Sequence, residues 1–163
     1  MSLRKVNTDI LIVGGGFAGA STAFHLSQCF SGSILLIEKE STPGFHASGR
    51  NASLVLQSTP NPDIRRVIAL SQQSYAKHSQ LVGFDQRGSL LLGSRERLSK
   101  LEDAELIPSQ YRNKDEVRSH IPLLDQHRFE AALWTPTDGV MDISLLLKFY
   151  LTNAQTQGVD LWL

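Results

Sequence analysis

Apolar positions in this chain fall into short unbroken runs and longer helical stripes, and their order predicts the architecture. Residues 8–13 (TDILIV) form a branched, leucine-rich run without alternation, the pattern of a parallel strand buried on both faces. Gly14-Gly15-Gly16 breaks that run. Residues 17–30 then have helix length, with small residues at Ala18, Gly19, Ala20, Ser21 and Ala23 that permit close packing on a sheet, and Ser31-Gly32-Ser33 ends the helix. Ile34 to Ile37 is a second apolar run closing on Glu38, so the chain opens as a βαβ unit within about 30 residues.

Between 39 and 62 the chain is rich in Ser, Thr, Pro, Gly and Asn, with one apolar patch at Leu54, Val55 and Leu56, and it reads as a long ordered loop. A connection of that length inside a compact domain is usually either functional or mis-assigned, and its dense polar residues favour the first. Asn61-Pro62-Asp63 supplies a cap, a proline at the first helical position and a first-turn acid. Ile64, Val67, Ile68 and Tyr75 then recur on one face, which predicts a helix over 62–81 that buries that face. Residues 84–93 read as a strand turned near Gly88. Ser94 can cap a helix carrying Leu98 and Leu101, and Asn113 with Glu116 can cap a short one that stops at Pro122. Residues 129–135 form a strand, Asp142 caps a leucine-rich helix ended by Gly158, and 159–163 read as another buried strand. An unshielded apolar strand invites aggregation, so a chain ending there is expected to be cut short.

Composition narrows the classes. At 163 residues a single domain buries roughly two-thirds of the surface its unfolded form exposes. Lys and Arg number 16 against 16 Asp and Glu, which leaves no electrostatic footprint for nucleic acid. The one cysteine, Cys29, cannot form an internal disulfide, which points to a reducing, cytoplasmic compartment, and it is expected to be buried or half-buried. The apolar runs are far short of the ~20 residues of a membrane span. Arg4 and Lys5 precede an apolar run in the manner of a signal peptide, but Asp9 interrupts it. His25, His78, His120 and His127 lack metal-ligand spacing, and no metal is expected. Glu102, Asp103 and Glu105 read as a solvated helix face, and Trp134 and Trp162 as core.

The chemistry lies at the first turn. Gly14, Gly16 and Gly19 form GxGxxG between a strand and a helix, and Glu38 ends the next strand 19 residues after the third glycine. This is a dinucleotide-binding fingerprint. Gly14 permits the tight turn, Gly16 lets a pyrophosphate approach the backbone, and Gly19 lets helix and strand pack closely. Free amides and the positive dipole end favour an anion there, while Glu38 can accept hydrogen bonds from ribose hydroxyls and would repel a 2′-phosphate. The fingerprint alone leaves NAD and FAD both open.

The stretch that follows, Glu38-Lys39-Glu40 and then Pro43-Gly44, His46 and Ser48-Gly49-Arg50-Asn51-Ala52, resembles the segment after the second strand in FAD-dependent oxidoreductases of the D-amino-acid oxidase superfamily. It looks closest to D-amino-acid dehydrogenases of the D-arginine type, over the N-terminal half of such enzymes. The resemblance implies an α/β fold in which a Rossmann-like FAD-binding βαβ domain is followed by the start of an α+β substrate domain, the whole truncated. Residues 1–82 would be the FAD-binding part, 83–141 the first substrate-domain segment and 142–163 the return to the FAD domain. Gly14, Gly16, Phe17, Ala18 and Gly19 would lie near the pyrophosphate, Glu38 on the adenosine ribose, and Lys39 and Glu40 beside the adenine. Ala47, Ser48, Arg50, Asn51 and Ala52 would line the pyrophosphate, ribityl chain and flavin edge, with His46 on the substrate or flavin side as the catalytic candidate. Beyond Ala52, Ser53 and Leu54 stand where many relatives place glycine or alanine.

The activity implied is oxidative deamination of a D-amino acid or related amine by hydride transfer to flavin, with FAD as cofactor and a C-terminal half or partner chain completing the site. Alone, the chain would be inactive, and a dehydrogenase of this kind could sit peripherally at the inner membrane. The alternative is a non-catalytic nucleotide-binding subunit from a truncated or split gene. An NAD enzyme sharing only the fingerprint is disfavoured by the Ser48-to-Ala52 segment.

Overall fold

The computed structural model describes residues 5–102, 105–124 and 128–163. Arg4, Asp103 and His127, which entered the expectations above, lie outside the described residues. Along the chain the elements are β1 (Ile10–Val13), α1 (Phe17–Ser27), β2 (Ile34–Ile37), β3 (Leu54–Val55), α2 (Pro62–Lys77), α3 (Ser79–Val82), β4 (Phe84–Gln86), β5 (Ser89–Gly93), α4 (Arg95–Ser99), β6 (Gln110–Asn113), α5 (Lys114–His120), β7 (Ala131–Thr135), β8 (Gly139–Met141), α6 (Ile143–Thr156) and β9 (Asp160–Trp162). Short 3-10 turns occupy Ala47–Gly49 and Pro122–Leu124. The chain divides into two compact units, the first made of the described residues up to Ala52 with Leu81–Gly83 and Asp142–Leu163, the second of Ser53–Gln80 and Phe84–Met141.

The first unit is the expected α/β layer. Its sheet is parallel in the order β1-β2-β9, with Ile10 opposite Ile34 and Leu36 opposite Leu161. Asp9 anchors the entry edge, its carboxylate accepting from the Ser33 amide and hydroxyl at 2.8 Å each. α1 and α6 pack together on one face, where Ala23, Ile34, Leu36, Ala154 and Val159 form a buried cluster joined by Ile10, Ile12 and Phe24. Ala20 and Ala23 are fully buried, so their small side chains are what lets α1 lie close. The expectation that β1 is buried on both faces is not met. Leu11 is 53% and Val13 76% exposed, because the helices of this unit cover the opposite, isoleucine face.

The second unit carries two antiparallel sheets, β3-β8-β4 and β5-β7-β6. β8 accepts β3 and β4 on either side, and Gly139 is required in it because an added Cβ would stand 2.3 Å from the Asp85 carbonyl oxygen. β7 is the centre of the other sheet, with Leu98, Ala131 and Leu133 packed together in one cluster and Val117, Phe129 and Ala132 in another. Asp138, fully buried, ties the unit together: it accepts from the Gln57 amide and Nε2 at 3.0 Å each and from the Ser89 hydroxyl at 2.5 Å.

Several sequence expectations are corrected here. α1 stops at Ser27 rather than near Phe30, and Cys29 is exposed just beyond it. The helix expected over 62–81 breaks at His78, whose Nδ1 lies 3.0 Å from the Ser74 carbonyl oxygen, and restarts as α3. Its buried face is also not the apolar stripe: Ile64 and Val67 are 51% and 62% exposed, whereas Arg65 and Gln72 are buried. Hydrogen bonding explains the inversion. Arg65 donates from Nε to the Thr59 carbonyl at 3.0 Å and from Nη1 to that of Glu102 at 3.2 Å, and Gln72 donates to the Thr137 carbonyl at 3.1 Å, so polar side chains satisfy carbonyls that no strand pairs. The long loop contains β3, 110–113 and 139–141 are strands, and Trp134 and Trp162 are half-buried rather than core.

Candidate functional site

Every residue expected at the nucleotide lies in the first unit, at the C-terminal ends of β1 and β2. The chain leaves β1 through Gly14, whose φ of +104° is unfavourable for any side chain and whose amide donates to the Ile37 carbonyl at 2.7 Å. Space above Gly14 is open, with no atom within 4 Å of an added Cβ. Gly16 is the N-cap of α1 and supplies no side-chain cap, while an added Cβ on Gly19 would stand 1.9 Å from the Gly14 carbonyl oxygen. The helix therefore sits directly on the turn that precedes it.

The helix entrance is capped from a distance. The Phe17 amide donates to Ser48 Oγ at 3.1 Å, and that hydroxyl lies 2.7 Å from where a Gly16 Cβ would be. Ser48 belongs to the 3-10 turn, which Gly44 makes possible at φ +75°. The amides of Gly16, Ala18 and Gly19 have no acceptor among the described residues, and amides in the first turn of a helix face outward along its axis. Together with the open space over Gly14, they form a cradle of a kind that can accept an anion.

Glu38 sits beside that cradle as a fixed carboxylate. Its Oε1 accepts the Glu40 amide at 2.9 Å and its Oε2 the Gly15 amide at 2.7 Å, and these bonds, that of Glu40 foremost, hold its carboxyl below the ordinary value for glutamate. Each oxygen keeps a second lone pair, so the group can still accept two hydroxyl donors. Glu40 is engaged by His46, whose Nε2 lies 2.8 Å from Oε1, and by Lys39 at 3.3 Å from the same oxygen. Those bonds, that to His46 foremost, hold Glu40 low as well. His46 thus joins Lys39 and Glu40 in one surface cluster. Asn51 donates from Nδ2 to the Ser48 carbonyl at 2.8 Å, and the Arg50 guanidinium carbon stands 5.8 Å from the Phe45 ring centroid. Ala18, Ala47 and Ala52 are exposed.

Two contributors escaped the sequence reasoning. Gly15 presents only its amide, which orients Glu38, and no side-chain signal marks that role. Phe45 is a 55% exposed aromatic under Arg50, visible in the sequence only as an apolar residue in a polar loop. Among the described residues no group of three His, Cys, Asp or Glu side chains could hold a metal ion, and no helix is long and apolar enough to cross a membrane.

With this geometry in view, comparison with known proteins is specific. The family model DAO, described as FAD dependent oxidoreductase, matches residues 9–162. The chain is 28% identical over 169 residues to dimethylglycine dehydrogenase of Rattus norvegicus, a mitochondrial protein, covering 95% of this chain and 19% of that one. Among solved structures it resembles L-proline dehydrogenase from P. horikoshii, with a TM-score of 0.83 and 25% identity over 96% of this chain and 44% of that one. It shares the fold of L-α-glycerophosphate oxidase from Mycoplasma pneumoniae with FAD bound, with a TM-score of 0.77 and 21% identity, covering 96% of this chain and 44% of that one. The chain thus spans less than half the length of these structures and about a fifth of the mammalian relative. These similarities do not single out the D-arginine-type branch expected from the sequence.

Proposed function

The chain belongs to this FAD-dependent oxidoreductase family, and on that premise we propose that it supplies the nucleotide-holding part of a flavoenzyme that oxidises an amino acid or related amine. The observation that carries this reading is the cradle itself: outward amides at Gly16, Ala18 and Gly19 beside open space at Gly14, with an ionised Glu38 fixed next to it by the Gly15 and Glu40 amides. Those groups match a diphosphate followed by a ribose, which is the ADP half of FAD.

In this reading the amides of Gly16, Ala18 and Gly19 hold the pyrophosphate, Gly14 and Phe17 lie beside it with their own amides engaged by Ile37 and Ser48, and Glu38 holds the ribose hydroxyls. Lys39 and Glu40 flank the adenine, and Ala47, Ser48, Arg50, Asn51 and Ala52 run along the pyrophosphate toward the flavin. FAD, when bound, supplies a two-electron acceptor for a hydride from the substrate carbon. The residues of this chain orient and charge-balance it: Arg50 can offer bidentate bonds to phosphate, and Ser48 holds the helix entrance in place through Phe17. His46 is held by Glu40, which this reading puts beside the adenine, so the geometry favours an adenine-side position for it over the substrate-side one. The first compact unit serves the cofactor and the second begins the substrate domain. Similarity to a dimethylglycine dehydrogenase and an L-proline dehydrogenase favours a secondary or tertiary amine over a primary D-amino acid. The one cysteine of this chain fits a reducing compartment, the cytoplasm among them.

A second reading is a non-catalytic nucleotide-binding chain completed by a partner; the exposed Leu11 and Val13 fit a covering chain in either reading. Titrating the chain with FAD, ADP and FMN by flavin fluorescence and calorimetry tests the shared premise. FAD and ADP binding with FMN excluded supports it; FMN binding as well as FAD, or no binding of ADP, overturns it.

A further inference from the structure

A basic pocket lies at one end of the β5-β7-β6 sheet, in the second unit, and shares no residue with the glycine turn. Gly93, Ala131 and Asn113 are paired across the sheet, so the segments that follow β5 and β6 and the one that precedes β7 leave from the same edge. Those segments carry Arg97, Lys114 and Arg128. Together with Gly93, Ser94, Phe129 and Glu130 they line a pocket of about 440 Å³. Three cations against one carboxylate is a marked local excess in a chain whose net charge is zero.

None of the three cations is within ion-pair distance of a described carboxylate. The one acid on the wall is occupied: Glu130 Oε2 accepts the Arg95 amide at 3.2 Å, which fixes it toward the start of α4. The two walls are tied together where the Glu130 amide donates to the Gly93 carbonyl at 3.2 Å, and the neighbouring Phe129 is buried. Unpaired like charges on one concave wall repel one another and focus a positive field, and an anion relieves both effects. Two guanidinium forks and an ammonium match an oxyanion offering several oxygens.

We propose that this pocket binds a small oxyanion bearing two or more negative charges, a phosphate monoester or a dicarboxylate, independently of the flavin reading. Calorimetric titration of the full chain at low ionic strength with sodium phosphate, and separately with sodium succinate, tests it. The expected result is saturable one-to-one binding of at least one probe, weakened about tenfold in the Lys114→Gln/Arg128→Gln double variant and weakened again on raising sodium chloride from about 20 to about 200 mM. Preference between the probes then tells a phosphate ligand from a dicarboxylate. Arg97→Gln serves in place of the double variant if circular dichroism shows that the latter is not folded. Absence of saturable binding for both probes overturns the proposal, as does binding that folded variants leave unchanged, since the anion would then sit elsewhere.

Discussion

Replacing Gly19 with alanine sets two well-defined effects against each other. Gly19 is in the first turn of α1, where the helix-interior advantage of alanine over glycine, about 1 kcal/mol, is an upper bound, so on propensity alone Gly19→Ala stabilises α1 by at most that amount. The new Cβ, however, would lie 1.9 Å from the Gly14 carbonyl oxygen and 3.1 Å from its carbon, and real Cβ atoms essentially never come within 3.0 Å of another heavy atom. The obstacle is backbone and cannot rotate away, so α1 must retreat from the turn by about 1 Å. Overpacking of this kind costs about 1–3 kcal/mol, and an immovable wall places it near the upper end. The net loss is about 2 kcal/mol, or roughly 4–8 °C in thermal midpoint for a chain of this size. Ser21→Ala, on the same helix and free of that wall, should shift the midpoint by under about 2 °C. Because the retreat also moves the amides of the cradle, FAD affinity should fall about tenfold in Gly19→Ala and stay constant in Ser21→Ala. Thermal melts by circular dichroism and flavin titrations read both quantities. A Gly19→Ala midpoint at or above that of the parent, with unchanged FAD affinity, would refute the packing of helix on turn from which the cradle is derived.

Other perturbations follow from the same geometry. Glu38→Gln places an amide NH2 against one of the two backbone amides it now accepts and removes the charge, so ADP affinity measured by calorimetry should drop about tenfold or more. Asp138→Asn keeps one oxygen for the two Gln57 donors but puts an NH2 where the Ser89 hydroxyl now donates, so that hydroxyl must turn to accept and the charge is lost from a fully buried site; it should cost about 1–3 kcal/mol in denaturant unfolding while leaving ADP binding intact. Asp9, Glu38 and Glu40 are all held below their ordinary values, Asp9 chiefly by the Ser33 amide. A lowered folded value means that their contribution is complete above the unfolded pKa of about 4 and is lost as pH falls through the folded one. The melting temperature should therefore decline below about pH 4, and Asp9→Asn should flatten that decline; an unaltered acid slope would count against the Asp9–Ser33 anchor.

The parts legible in the sequence are those where local signals and tertiary demands agree. The strand at 10–13, the glycine turn and the acid after β2 are each decided by local signals, and the structure forms all three, though β1 is covered on one face only. The caps at Asn61, Ser94, Asn113 and Asp142 are read correctly because capping is decided within three residues. What escapes the sequence depends on distant partners. β6 is the polar run Gln110–Asn113 and takes strand form only because β7 lies beside it. β8 is three residues long and exists because β3 and β4 flank it. The inward face of α2 is not the one its periodicity predicts, because periodicity reports apolar residues, whereas carbonyls of the 59, 102 and 137 loops need donors. Strand β1 carries a two-sided apolar pattern, yet only one of its faces is covered by helices in its unit.

At the candidate site, the glycine spacing and the acid are legible because backbone geometry demands them. The remote cap from Ser48 and the pairing of His46 with Glu40 depend on how residues 39–50 fold back, which no short-range pattern encodes.

The most direct measurement of the central claim is the amide spectrum of 15N-labelled chain during titration with ADP. The account predicts saturable shifts concentrated at Gly15, Gly16, Phe17, Ala18 and Gly19 and at the Glu38 and Glu40 amides, with the sheet end near Lys114 and Arg128 responding separately, at another ADP concentration, or not at all. Saturation centred on any other surface, or a glycine turn that stays unchanged through the titration, would contradict it.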